Sequence, residues 1–373
     1  MKTPLGFKAS ALSCGIKRSG KPDLALIFSE TPAHAAGVFT NNKLFAAPIR
    51  VSKAHLKKSG TACAIIVNSG NANSFTGRGG FKDAEKEALY LSKALGIEAK
   101  DVLVASTGII GKRLALDKIK NAIPRLIKAL SKAGMYKAAR AIMTTDTFAK
   151  MASNRFCIGG KEVIITGITK GAGMIAPDMA TMLCFIITDA NIAQRALKAA
   201  LKEAVDRSFN CITIDGCMST NDTVLILANG RAANPLIDIG SKSYYAFSSA
   251  LSALCLSLAK MMVKDGEGAT KFIEIRVKGA LNNAQAKKAA LAIANSSLFK
   301  TAIYGENPNW GRIVSAIGSS GVKVKEEDLK VKSSSLKKKD IYVEADLNIG
   351  KGETVVYTSD LTPEYIKINA EYN

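Results

Sequence analysis

Histidine is nearly missing from this chain: His34 and His55 are the only two in 373 residues. A Ser-His-Asp or Cys-His nucleophile therefore has little material, and no ligand cluster with metal spacing is in view, so no metal is expected. Long apolar runs are lacking too. The longest candidate, Tyr244 to Val263, is interrupted by Ser248, Ser249, Ser252, Ser257 and Lys260, which points to a buried helix and to no membrane contact, since a span needs roughly 18 to 20 apolar residues. The opening MKTPLGFKASALSCGIK has lysines and a proline where a secretory leader has an unbroken apolar stretch, so the expected compartment is the cytoplasm. The seven cysteines are odd in number and form no CxxC pair. Reduced, mostly buried thiols are expected rather than a disulfide framework.

Acidic residues are scarce, 31 against 52 lysines and arginines, for a formal charge of +21. Such a charge would bind nucleic acid if it formed one patch, yet the only tight run is Lys337 to Lys339, beside a serine stretch, and aromatics make up only 6% of the chain. A solvated, lysine-rich surface that steers small anionic substrates is expected, with no nucleic-acid partner. A basic binding protein without catalysis stays as a competing reading, and salt-sensitive retention of a duplex separates the two.

What is abundant is core-forming material: 47% hydrophobic residues and a mean hydropathy of +0.10. Short β-branched runs alternate with helical patterns, as in Ala62 to Val67, Asp83 to Leu95 closed by Gly96, and Asp101 to Ala105; this is an α/β (α+β) rhythm. The stretch Asn191 to Phe209 places Ala193, Leu197, Ala200, Leu201, Ala204 and Val205 on one helical face, with Asp189 as its cap. After Thr270 the texture changes to strands at Phe272 to Val277, Ile341 to Leu347 and Thr354 to Thr358 with a helix near Asn283 to Ala294, so residues from about 272 to 373 are read as a smaller C-terminal lobe.

The most unusual stretch is KGAGMIAPDMATMLCFIITDA, Lys170 to Ala190. Its glycines mark a tight turn, and Thr181 at the head of an apolar strand is either an ordinary β residue or something sharper. With histidine scarce, a threonine can supply its own base: if the chain is cut just before it, the freed α-amine, with a reference pKa of about 7.7 to 8.0, takes the proton from the same residue's hydroxyl. A second stretch, ASTGIIG from Ala105 to Gly111, puts a hydroxyl and a glycine amide at a strand end, either a plain turn or a holder for an oxyanion.

Several long motifs occur in one order: AAGVFTNNK (35–43), VNSGNAN (67–73), STGIIG (106–111), MTTDT (143–147), KGAGMIAPDMATML (170–183), SFNCITIDGCMSTNDT (208–223), KDGEGATK (264–271), KTAIYGENPNWGRI (300–313) and INAEY (368–372). Through them the chain resembles the ornithine acetyltransferase (glutamate N-acetyltransferase, ArgJ) family of arginine biosynthesis. The resemblance implies a layered α/β fold, sheets between helices, whose precursor cuts itself between Ala180 and Thr181. An α chain of residues 1–180 and a β chain of 181–373 then fold as one unit, and two such units associate as a heterotetramer. Thr181 becomes the nucleophile that moves acetyl from N2-acetylornithine to glutamate in a ping-pong cycle, with Thr107 and Gly108 as the oxyanion hole. Thr144, Lys170, Thr181, Glu267 and Asn369 carry over as substrate-binding positions, Lys170 suiting a carboxylate and Glu267 an amine. No cofactor is implied, and acetyl-CoA stays open as a second donor. Asp178 stands where many relatives have Asn. A competing reading keeps Thr181 but makes water the acceptor, as in related self-cleaving amidases and aminopeptidases.

Overall fold

The computed structural model of the chain describes residues 2–176 and 182–371. Its strands are β1 (Phe7–Leu12), β2 (Leu24–Phe39), β3 (Thr61–Asn71), β4 (Val102–Ile109), β5 (Lys150–Ile158), β6 (Lys161–Lys170), β7 (Leu183–Thr188), β8 (Thr223–Ala228), β9 (Phe272–Ala280), β10 (Lys330–Ser333), β11 (Asp340–Asp346) and β12 (Gly352–Ser359). The helices are α1 (Ala47–Ser59), α2 (Gly77–Leu95), α3 (Leu116–Lys128), α4 (Met135–Ala141), α5 (Gln194–Asp206), α6 (Lys242–Lys264), α7 (Asn283–Asn295), α8 (Ser297–Tyr304), α9 (Gly311–Ser319) and α10 (Pro363–Glu371).

The first eight strands share one sheet in the order β4-β3-β2-β8-β7-β6-β5, with β1 paired to β2. Strand β2 joins its two halves: its first part pairs with β1 and β3, its register breaks between Phe28 and Ala33, and its last residues pair with β8. The sheet turns over on itself at that break. Alternate side chains of β2 to β4 (Ile27, Ile65, Val67, Leu103) therefore meet Phe185, Ile187, Leu225 and Leu227 of β7 and β8 in one apolar layer, which strands in a single flat sheet could not do. The opposite faces carry helices: α1, α2 and α3 cover Leu26, Ile66 and Val104, and α5 and α6 cover Cys184, Ile186, Val224 and Ile226. The result is a helix–sheet–sheet–helix stack, the layered α/β arrangement. Strands β7 and β8 are buried along their whole length, which explains why they read as continuous apolar runs without alternation.

Helix α6 is long and apolar enough by composition alone to cross a membrane. Its stripe Phe247, Leu251, Leu254, Leu258 and Met262, at spacings of three and four, is instead buried in the same apolar cluster as α5 and the outer face of β5 to β8. Helix α5 uses the face expected of it but spans only Gln194–Asp206, and its N-cap is Ala193, without a side-chain cap bond. Asp189 is not that cap. Its carboxylate accepts the Ile164 and Leu5 amides at 2.9 and 3.0 Å, tying the N-terminus to β6, because a carboxylate among unpaired strand-edge amides satisfies more donors there than at a helix end.

A second sheet, β10-β11-β9-β12, begins at Phe272, and α7, α8 and α9 close its own core around Ile275, Ile293, Phe299 and Ile317. Its Phe272 and Tyr357 rings, stacked with centroids 5.8 Å apart, join it to the main stack by packing in the apolar cluster of α5 and α6. Of the cysteines, Cys63, Cys184, Cys211 and Cys255 are buried, Cys14 is half-buried, and Cys157 and Cys217 are exposed.

One buried group sets a pH dependence. Glu87 of α2 is fully buried, both its carboxylate oxygens lack hydrogen-bond partners, and burial, followed by the neighbouring Asp83, pushes its pKa up to about 8. The folded state keeps this proton through pH values where the unfolded chain has lost it, so stability falls as pH rises from about 4.5 to 8. The cost at pH 7 is about 3 kcal/mol. Replacing Glu87 with Gln is expected to raise the thermal midpoint more at pH 8 than at pH 5; equal shifts at both would refute this origin.

Candidate active site

Thr107 and Gly108 lie within β4, near its end rather than in a turn after it. Gly108 has φ +132°, and a Cβ there would come within 2.4 Å of the Gly70 carbonyl carbon. Only glycine lets β4 run this close to the end of β3, so the backbone at this point is fixed by steric necessity. The buried neighbour Ser106 donates to Asn68 Oδ1 at 2.6 Å, and Asn221 donates through Nδ2 to the Ala72 and Ser106 carbonyls at 2.6 and 2.8 Å. Two loops and a strand end are strapped together around Thr107.

Lys170 ends β6, is 3% exposed, and donates from Nζ to Thr144 Oγ1 at 2.7 Å and, longer, to Thr107 Oγ1 at 3.4 Å. Accepting from Lys170 leaves the Thr107 hydroxyl proton free to point at another acceptor. Burial holds the ammonium below its usual range, and the Asp146 charge works in the opposite direction. Glu267, in the turn after α6, donates its amide to the Ala172 carbonyl at 2.8 Å and accepts Asn369 Nδ2 of α10 on Oε2, also at 2.8 Å. A Cβ at Gly173 would lie 2.2 Å from that same Oε2, so the glycine turn after β6 is what admits the carboxylate.

Thr107, Gly108, Thr144, Lys170, Glu267 and Asn369 thus all line one cavity of about 100 Å³, together with Ser219 and Asn221. They come from β4, the loop after α4, the end of β6, the turn after α6, and α10. Ala180 and Thr181 lie outside the described residues, as does Asp178. The two flanks of that stretch are nonetheless held. Asp215 accepts the Met174 and Ile175 amides at 2.6 and 2.9 Å, and Asp222 accepts the Met182 amide at 3.0 Å. Asp222 is buried, and burial pushes its carboxyl well above the usual carboxylate range.

Within the run Ser219 to Asp222, Ser219 and Asn221 are cavity walls. The signal was there, four polar residues directly before the wholly apolar strand TVLILA. Asp146, Lys150 and Asp265 were not singled out. Lys150 is fully buried, and its Nζ donates to Asp146 Oδ1 at 2.6 Å and to Asp265 Oδ2 at 2.5 Å.

Comparison with known proteins places the whole chain. The model of the ArgJ family matches residues 8–373. Two relatives named arginine biosynthesis bifunctional protein ArgJ are similar over nearly all of both chains: that of Geobacter sulfurreducens is 46% identical, covering 98% of each, and that of Caldanaerobacter subterraneus subsp. tengcongensis is 44% identical, covering 100% of this chain and 98% of its own. Among solved structures, the protein of the same name from Bacillus halodurans is 38% identical with a TM-score of 0.46, over 48% of this chain and 92% of its own.

Proposed function

Since the chain belongs to the ArgJ family, we propose that it cuts itself between Ala180 and Thr181 and uses the new N-terminal threonine to move an acetyl group from N2-acetylornithine to glutamate. As a member of that family it is an acyltransferase of arginine biosynthesis. The observation that carries the finer reading is the meeting of Thr107, Gly108, Thr144, Lys170, Glu267 and Asn369, distant in sequence, around a single cavity.

In this reading the freed amine of Thr181 takes the proton from its own hydroxyl, and the oxygen attacks the acetyl carbonyl. The Thr107 hydroxyl and the Gly108 amide face the oxygen on which negative charge develops, and the nearby Lys170 ammonium adds a favourable field. The bond to ornithine nitrogen then breaks, the proton passes to the leaving amine, and a threonyl acetate ester remains. The amine of glutamate attacks that ester, releasing N-acetylglutamate and restoring the hydroxyl. Lys170 supplies a cation for a substrate carboxylate, and Glu267, oriented by Asn369, supplies an anion for a substrate amine. The relatives are named bifunctional, and we take acetyl-CoA as the second donor, a co-substrate rather than a resident cofactor. Two αβ units associate in this reading, with small molecules as the only other partners.

Denaturing intact-mass analysis tests it directly. Two fragments divided at Thr181 are expected, and brief exposure to N2-acetylornithine without glutamate should add one acetyl group to the fragment that begins with Thr181. An uncut chain would refute self-cleavage; acetylornithine consumed equally fast without glutamate would make water the acceptor. Replacing Glu267 with Gln is expected to raise the Michaelis constant for N2-acetylornithine roughly 10- to 100-fold, the worth of one charged hydrogen bond, with a smaller change in kcat. Unchanged steady-state kinetics would remove Glu267 from substrate binding.

A further inference from the structure

The three loops that bring Thr144, Lys170 and Glu267 to the cavity converge on a buried chain of charges behind it. Asp146 accepts the Thr144 amide on Oδ2 at 2.9 Å, and on Oδ1 it accepts the Gly171 amide at 2.7 Å and Lys150 Nζ at 2.6 Å. Lys150 also donates to Asp265 Oδ2 at 2.5 Å. Asp265 in turn accepts the Thr147 amide at 3.0 Å and the Thr147 hydroxyl. Asp265 stands two residues before Glu267, whose own amide is bonded to Ala172. The side chains of Lys150 and Asp146 are wholly buried and that of Asp265 is 2% exposed. Their hydrogen bonds are therefore made in a medium that exacts a large penalty for any partner lost.

We propose that Asp146 is the positioning residue of this site: through Thr144, Gly171 and Lys150 it sets the aim of the Lys170 ammonium, and its carboxylate is the counter-charge that keeps Lys170 cationic in the cavity wall. The inference rests on the acyl-transfer reading of the same cavity.

The electrostatics agree with the geometry. Burial works against the Asp146 charge, yet Lys170 first, then Lys150 and the Gly171 amide, bring its pKa to about 2. It is a fixed anion at any working pH. Lys170 is pulled below its usual range by burial; among the charges facing it, Asp146 pushes it back up most strongly, Lys150 lowers it, and Glu267 and Asp222 raise it. Lys17, whose ammonium is committed to the Pro22, Ala141 and Met143 carbonyls, is a further like charge within reach. Removing the Asp146 charge takes away the strongest of the charges that oppose burial, so Lys170 gives up its proton at lower pH. Removing the Lys150 charge has the opposite sign.

The experiment follows the alkaline limb of kcat/KM against pH for acetyl transfer. With Asp146→Asn the limb is expected to move down by one pH unit or more, with KM for N2-acetylornithine rising about tenfold. With Lys150→Gln it is expected to move up, and Asp146→Glu should bring it back towards the wild-type position. Asp265→Asn loosens the same turn and frees Lys150 from one partner but leaves the Asp146, Lys150 and Glu267 charges that face Lys170 in place, and its limb should move less than that of either variant. A purely structural role would lower melting temperature and activity at every pH without moving the limb. The proposal is overturned if neither Asp146→Asn nor Lys150→Gln shifts it, or if both shift it in the same direction. Reductive methylation of Lys170 against pH, quantified on its own peptide, reads the same titration with no acyl substrate. Should the wild-type protein fail to transfer acetyl to glutamate, the functional reading falls while the labelling still decides this one.

Discussion

Thr181→Ala is expected to yield a single chain of about 39.4 kDa with neither cleavage nor acetyl transfer. No histidine is available to stand in: His34 Nδ1 faces the Ile192 carbonyl and His55 Nδ1 the Val102 carbonyl, and neither is among the cavity walls. The loss in kcat is expected to exceed about 10³-fold, because only binding and oxyanion contacts remain once a nucleophile is gone. Thr181→Ser keeps a hydroxyl and an amine on one residue and should retain both cleavage and a measurable part of transfer. Intact mass reports the first and ornithine release the second. Transfer by the alanine variant at a tenth of the wild-type rate would place the nucleophile elsewhere.

The second large effect belongs to Thr107. Thr107→Val has nearly the same shape and preserves the packing of a side chain that is 5% exposed, but it has no proton to give a developing oxyanion. A kcat lower by roughly 10²- to 10³-fold is expected, corresponding to about 2.7 to 4 kcal/mol, with KM changed far less. The same substitution removes an acceptor from Lys170 Nζ, which keeps Thr144 Oγ1 at 2.7 Å as its closer partner, so the cation should remain anchored. An equal rise in KM and fall in kcat would instead assign Thr107 to ground-state binding. Single-turnover acetylation of Thr181 separates the two.

Much of this was legible before any coordinates. The strands around Ile65, Leu103 and Ile186 follow from β-branched runs, and α5 from its three-and-four spacing. Thr107 and Gly108 stand out as a hydroxyl and a glycine at a strand end, whereas Thr144, Lys170, Glu267 and Asn369 were legible only through the family resemblance. What the sequence hid depends on partners far apart along it. Lys150 looks like the ordinary first residue of a strand, and its bond to Asp265 spans 115 positions. Asp189 looks like a helix cap because an acid before a helix usually is one; only the placement of β6 and the N-terminus reveals its donors. The doubling-over of the sheet was invisible for a similar reason, since it is decided by a register break inside β2 and not by any local propensity.

The strand order has a further consequence. Both β7 and β8 come after Thr181 in sequence, yet they sit between β2 and β6, which come before it. β8 is hydrogen-bonded to β2, β7 to β6, and β7 and β8 to each other. A break between Ala180 and Thr181 severs none of these ladders, so the native state hardly registers it. The unfolded state does: before the break, folding is unimolecular, and after it two polypeptides must find each other. Refolding of the uncut chain should be independent of protein concentration, whereas the cut protein, once unfolded, pays the entropy of association. With the proposed self-cleavage, this strand order calls for folding first and cutting second, and the cut molecule would be easier to keep than to rebuild.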